Sequence, residues 1–324
     1  MTLNQAGLQV LEAFERGLDP RHPEHSQIPA HVLGYGEIST VFAIQAEGLE
    51  DLAFKRLPLF YSVGEVEQYQ AAYEEYNRLL QEEIGLRLPA HSCIDFLNES
   101  DRPILYIVQK QLASASIGHQ ALHLLSREMV RILIRRALQE MRLVWDFNQR
   151  QDRLQVALDG QISNWSIDGF EPGNPHVTLD TGLTYLDTST PLFRVEGVEQ
   201  LDPELFLRSA PSFLAWILRL FFLEDVVNRY YDFHRVAVDL VANFYKEQRP
   251  ELVPGIIIEV NDFFAGEAAA LGVEPLTEEE VRSYYREDAL IWRLYLAMRR
   301  IDRTIRTRIL RKEYPYILPG RIKR

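Results

Sequence analysis

The sequence predicts an α+β fold in two lobes. Three observations predict it. The first third carries strand-type runs around a single helix. Beyond about Asp202 the chain reads almost wholly helical. Between them, Ala113-Ser-Ala-Ser-Ile-Gly118 has the small-residue composition of a hinge. The boundaries that follow are an N-terminal helical extension over 1–27, a small lobe over 28–112 and a helical lobe over 113–324.

The elements follow in order. Residues 5–18 place Leu8, Val10, Leu11 and Phe14 at helical spacing, stopped by Asp19-Pro20. Arg21-His-Pro-Glu-His25 is a loop whose two histidines lack an evident third metal ligand. Residues 31–60 read as two strands joined by a turn at Ala46–Asp51. Alternation over Leu52–Leu57 sets Leu52, Phe54 and Arg56 on one face and Ala53, Lys55 and Leu57 on the other. A lysine on an apolar face calls for a partner. Residues 65–84 form a helix with the stripe Val66, Tyr69, Ala72, Tyr73, Tyr76, Leu79 and Leu80. Ile104–Leu112 is a strand, and 126–147 is a long, largely apolar helix fit for a central position. Residues 154–190 return to strands and turns.

Composition narrows the class. The chain has 324 residues, 47% of them apolar and 25% charged, as in an ordinary globular protein. Cys93 is the sole cysteine, so no internal disulfide forms. The N-terminus lacks a basic region followed by an apolar core, and the apolar run Phe213–Leu223 is too short for a bilayer span. A cytoplasmic protein is expected. Ten Lys or Arg against two Asp or Glu in 299–324 give that tail a net +8, so the remainder of a chain of net −12 carries −20. A basic stretch on an acidic body packs against that body or meets an anionic or protein partner.

Candidate chemistry lies in one ordered series. Leu33-Gly-Tyr-Gly-Glu-Ile-Ser-Thr-Val41 is a Gly-x-Gly turn running into a strand, and Gly34 and Gly36 let the backbone approach a phosphate. Lys55 follows on the returning strand. On the 65–84 helix, Glu75 sits at the edge of the stripe and Glu74 points away, so Glu75 is the better partner for Lys55. Asp159 and Asn164 form D-x-x-x-x-N after the central helix. Leu183-Thr-Tyr-Leu-Asp187 is a strand ending in a carboxylate suited to a hard cation, with Asp180 as a rival.

Other features read as structure. Tyr230, Tyr231, Tyr284, Tyr285, Trp292 and Tyr295 are expected in the core. Glu224, Asp225, Asp232 and Asp239 are expected on solvated faces, or lining a cleft for a cationic acceptor. Asp180-Thr-Gly and Asp187-Thr-Ser have the form of aspartic-protease tripeptides. That chemistry needs two carboxylates facing across a two-fold interface. These lie within one hairpin, and the reading is rejected.

From Leu33 to Asp187 the sequence resembles the protein-kinase-like superfamily, which includes protein kinases and aminoglycoside and choline phosphotransferases. Gly34 and Gly36 match its Gly-rich loop, with Ser39 at the third glycine. Val41, Ala53, Phe54 and Lys55 resemble V…A-x-K. Glu75 resembles the helix glutamate that clamps the lysine. Ile104–Leu112, with Gln109 and Gln111 near its end, resembles the strand leading to the adenine-binding hinge. Asp159 and Asn164 match the ends of H-R-D-x-x-x-x-N, and Asp187 resembles the D of D-F-G. Ala157 and Leu158 replace the His-Arg pair, and Thr188-Ser189 replace Phe-Gly.

The resemblance implies a kinase-like two-lobed fold and an ATP- and Mg²⁺-dependent phosphotransferase. Lys55, with Gly34, Gly36, Gln109 and Gln111, would bind nucleotide. Asp159 would be the base, with Asn164 and Asp187 on the metal. Little room follows Asp187 for a regulated loop, which favours a small-molecule hydroxyl as acceptor. The alternative is a catalytically silent pseudokinase that binds nucleotide or protein.

Overall fold

The computed structural model describes residues 3–36, 38–98, 101–202, 204–208, 227–311 and 314–320. Glu224, Asp225 and the run Phe213–Leu223 lie outside the described residues. The architecture is α+β: a five-stranded antiparallel sheet precedes a mainly helical half.

Helix α1 (Gln5–Arg16) is capped by Asn4, whose side chain accepts the Gly7 amide. The sheet comprises β1 (Ala30–Tyr35), β2 (Thr40–Ile44), β3 (Leu52–Leu57), β4 (His91–Leu97) and β5 (Pro103–Lys110), in the order β1-β2-β3-β5-β4. The two strands expected over 31–60 are therefore three. Helix α2 (Val63–Arg78) follows β3 and runs on through a wider turn to Ile84.

The alternation read along β3 organises the small lobe. Phe54 joins Leu11 and Phe14 of α1, Phe42, Tyr106 and Val108 in one cluster. Leu57 joins Val66, Tyr69 and Tyr73 of α2, Leu105 and Ile107 in another. The sheet is thus covered on both faces, and Lys55 and Arg56 leave it in opposite directions. Ile317, from the far end of the chain, packs into the α1 side.

The helical half begins with α3 (Gly118–Ala121) and α4 (Arg127–Asn148). Ser126 caps α4, and Leu133, Ile134, Ala137, Leu138 and Met141 are fully buried along it. Short strands follow: β6 (Leu154–Val156), β7 (Trp165–Ile167), β8 (Leu183–Tyr185), β9 (Phe193–Val195) and β10 (Val198–Glu199). They form a β7–β8 hairpin and a β10-β9-β6 sheet. Helices α5 (Glu204–Leu207), α6 (Phe233–Lys246), α7 (Val253–Ala265) and α8 (Glu278–Thr304) complete the fold. Among the described residues no helix is long and apolar enough to cross a membrane.

Several cations of the basic tail find partners within the tail itself and the helix that leads into it. Arg299 is buried over the rings of Tyr295 and Tyr316. Arg300 donates to the carbonyls of Pro319 and Gly320, and Arg306 pairs with Asp302. Residues 312–313 and 321–324 of that tail lie outside the described set.

Candidate active site

The site is built from the meeting of the two halves. Lys55 leaves β3 toward the helical half and donates to Asp187 Oδ1 at 2.8 Å and to Ser189 Oγ at 2.7 Å. Ser189 Oγ donates in turn to Asp187 Oδ1 at 2.9 Å. The Lys55 and Asp187 side chains keep 15% and 27% of their surface exposed, so the pair lies inside a cleft but within reach of a ligand. Burial opposes the Asp187 charge. Lys55 and Ser189 outweigh it and hold the carboxyl below the usual carboxylate range.

Asp187 owes its position to the β7–β8 hairpin. Trp165 pairs with Tyr185, and the Leu186 amide donates to the Asn164 carbonyl at 2.8 Å. Asn164, just before β7, and Asp187, just after β8, therefore emerge side by side. Asp180 sits at an exposed turn in the loop between these strands. Asp187 thus lies beside Lys55 in the cleft, and Asp180 lies at the far end of the hairpin.

Asp159 is fixed from three sides. Asn148, at the end of α4, takes both the amide and the carbonyl of Val156 in β6, which holds the approach to it. The Asp159 amide donates to Tyr185 Oη, and Asn164 Nδ2 donates to the Asp159 carbonyl at 3.1 Å. Gly160 is required for packing. A Cβ there would stand 2.5 Å from Val236 Cγ1 and 2.6 Å from Met141 Sδ. Asp159-Gly160 is thus a close approach of loop to helices rather than a plain turn. Burial, then the charges of Asp239 and Asp187, raise the Asp159 carboxyl well above its ordinary range.

Asp239, expected on a solvated face or lining a cleft, is buried. It is 8% exposed, and it accepts from Gln161 Nε2 at 3.1 Å. Burial raises its carboxyl too, against the opposing charge of Arg229. Asp232, by contrast, caps α6. Tyr231 is buried, in keeping with its core assignment.

The role expected of Glu75 is corrected. Its carboxylate forms a bidentate pair with Arg78, at 2.9 Å to both Nε and Nη2, and does not meet Lys55. Arg78 lies one turn further along the same exposed face and captures it. The inward face of α2 carries tyrosines instead. Tyr69 Oη donates to the Ser189 carbonyl at 2.5 Å, and Tyr76 Oη to the Ala157 carbonyl at 2.7 Å. Tyr73 Oη accepts from Thr188 at 3.4 Å. Hydroxyls therefore fasten α2 to the segments bearing Asp187 and Asp159. The stripe itself was legible as apolar, but its hydroxyl chemistry was not read from it. Glu75→Gln is accordingly expected to leave unfolding free energy within about 0.5 kcal/mol of wild type in urea titration.

The remaining nucleotide candidates fall as follows. Gly34 lies at a register shift opposite Val41, and a Cβ there would meet nothing within 4 Å. The Gly36 amide donates to the Ser39 carbonyl at 3.0 Å, closing the turn. Neither glycine needs a positive φ. Gln109 sits opposite Ala53 and His91 in the sheet. Gln111 is tied by its amide to the Asp51 carbonyl at 2.8 Å, and among the described residues its buried side-chain Oε1 accepts no hydrogen bond. That orphan oxygen is a buried acceptor at the end of β5.

No curated protein matches the sequence. A solved structure of WaaP in complex with acyl carrier protein is similar at 14% identity and a TM-score of 0.33, covering 63% of this chain and 90% of that one. The GDP complex of wild-type aminoglycoside 2'-phosphotransferase-IIIa is similar at 8% identity and a TM-score of 0.35, covering 82% and 100%. The model of a family of unknown function, DUF6206, matches residues 21–304, and the chain belongs to that family.

Proposed function

We propose that this protein is an ATP- and Mg²⁺-dependent phosphotransferase acting on a hydroxyl of a small molecule. The observation that carries the reading is the Lys55–Asp187 pair across the two halves, with Asn164 beside Asp187 and hydrogen-bonded to the Asp159 carbonyl. Phosphoryl transfer asks for a cation on the phosphates, oxygen ligands for a metal and a base for the acceptor, and little else. Lys55 supplies the first when it exchanges Asp187 for phosphate oxygens. Asp187 and Asn164 supply oxygen donors of the kind a hard cation takes, and Mg²⁺ bound there would neutralise phosphate charge. Asp159 accepts the proton of the acceptor hydroxyl. The open backbone at Gly34 and the free Gln111 Oε1 suit the phosphates and the adenine amino group.

A small acceptor is favoured by the short path after Asp187. Among the described residues the chain enters β9 at Phe193 and α5 at Glu204, so only a short segment follows Asp187 before the next element.

The absence of Glu75 from Lys55, and Ala157 in place of a histidine, favour a second reading, a catalytically silent nucleotide- or protein-binding module. Thermal unfolding with ATP, with and without Mg²⁺, tests both. At about 100 times Kd a ligand adds roughly 2.7 kcal/mol. A Mg²⁺-dependent rise in midpoint, lost in Lys55→Ala and Asp187→Ala, is expected. No rise with any nucleotide would remove the phosphotransferase reading.

A further inference from the structure

The loop Arg21–His25 read from sequence as two histidines without a third ligand. Folding supplies the third. Pro23 starts a tight 3₁₀ turn over Pro23–His25 and is itself buried, so the turn is anchored rather than loose. The His25 amide donates to the His22 carbonyl at 2.9 Å, and the Ser26 amide to the Pro23 carbonyl at 3.2 Å. Ser26 Oγ closes the loop from outside by accepting the Asp19 amide at 2.9 Å. This backbone turns three side chains to one side. His22 Nδ1 lies 3.5 Å from Glu24 Oε1. The His22 and His25 rings face one another, with centroids 5.7 Å apart and planes inclined by 28°. One ligand atom from each of His22, Glu24 and His25 lies within 4.8 Å of the others.

His22 and Glu24 form an ion pair, and the His25 ring is stacked beside it with a ring nitrogen close to the same carboxylate. Two imidazole nitrogens and one carboxylate oxygen are the donor set of an open, four-coordinate zinc site, with water in the remaining position. Ligand atoms about 2.0–2.2 Å from a tetrahedral ion stand roughly 3.4 Å apart. Exposed side chains close the difference by small rotations. The mixed nitrogen–oxygen set discriminates against Mg²⁺ and Ca²⁺, which take oxygen.

We propose that His22, Glu24 and His25 form a binding site for a borderline divalent cation of the Zn²⁺ type, separate from the Lys55–Asp187 cleft. The ion would brace the connection between α1 and β1, the strand that ends at the Gly34–Gly36 turn. The site does not depend on the phosphotransferase reading.

The test is competition between the full, untagged chain and a chromophoric chelator, with Zn²⁺ alone as probe and Mg²⁺ as control. One equivalent of Zn²⁺ and no Mg²⁺ response are expected. His22→Asn and His25→Asn should each weaken Zn²⁺ binding by about 10-fold or more, with Lys55→Ala unchanged. Glu24→Gln, which preserves size, provides the check should a histidine variant fold poorly. Co²⁺ in place of Zn²⁺ should give the visible absorption of a four-coordinate site in wild type only. Failure of wild type to take up Zn²⁺, or undiminished uptake in all three variants, would overturn the proposal.

Discussion

Asp159→Asn is expected to lower turnover on the order of 10²–10⁴-fold, the range carried by a general base, while the Mg²⁺·ATP-induced rise in unfolding midpoint persists. The substitution keeps size and the hydrogen bond from the Gln161 amide, but it removes the group that accepts a proton. Burial and the neighbouring Asp239 and Asp187 hold the Asp159 proton more tightly than an ordinary carboxyl, whose pKa is about 3.9. A base works ionised, so kcat/KM should climb with pH through that raised value and then flatten. Stability runs the other way. Between the ordinary and the raised pKa the folded state binds more protons than the unfolded one, so unfolding free energy falls as pH rises across that window. Asp159→Asn removes this contribution, and its midpoint should depend less on pH than that of wild type. Turnover within fivefold of wild type, with an unchanged pH profile, would remove Asp159 from the chemistry.

The same site illustrates what a sequence discloses. That Asn164 and Asp187 are neighbours follows from their order along the chain, because the β7–β8 hairpin converts that order into adjacency. The two faces of β3 could be read because a period of two leaves no freedom once one face is buried. The partner of Lys55 could not. Glu75 lies at the margin of the helix stripe, where a few tens of degrees decide between cleft and solvent, and Arg78 three residues on settles the matter locally. Strand β4 escaped notice for a related reason. It is an edge strand of half-buried and exposed residues, held by pairing with β5 rather than by an apolar alternation of its own. Asp239 reads as one more charge on an amphipathic helix, and only the tertiary approach of Gln161 and Arg229 makes it an interior group. Tyr69 and Tyr76 are visible as bulk, but their hydrogen bonds to carbonyls more than eighty residues away follow from the fold and not from spacing.

The largest stability effect is expected at Arg56, the neighbour of Lys55 on the opposite face of β3. Its guanidinium meets Glu15 of α1 through Nε at 2.6 Å and Nη2 at 2.5 Å, and donates to the Pro315 carbonyl at 2.7 Å. Tyr106 Oη also donates to Glu15, at 2.5 Å. The two charged side chains retain only 5% and 6% of their surface, so neither has water to fall back on. Burial opposes the Arg56 charge, and Glu15 with Tyr106 overcomes it, which holds the guanidinium above its ordinary range. Removing one member of a buried pair strands the other, at about 3–5 kcal/mol. Glu15→Ala should therefore lose about that much in urea unfolding, against the roughly 0–1 kcal/mol of a surface pair. Glu15→Met combined with Arg56→Met leaves no stranded charge and should cost less than Glu15→Ala alone, a non-additivity that a double-mutant cycle reads directly. Because Arg56 ties α1 and the C-terminal segment to the strand that carries Lys55, Glu15→Ala should also reduce the nucleotide-induced rise in midpoint without touching the cleft. A loss below 1 kcal/mol in Glu15→Ala would mean that water reaches the pair, and that α1 is an appendage to the small lobe and not part of its core.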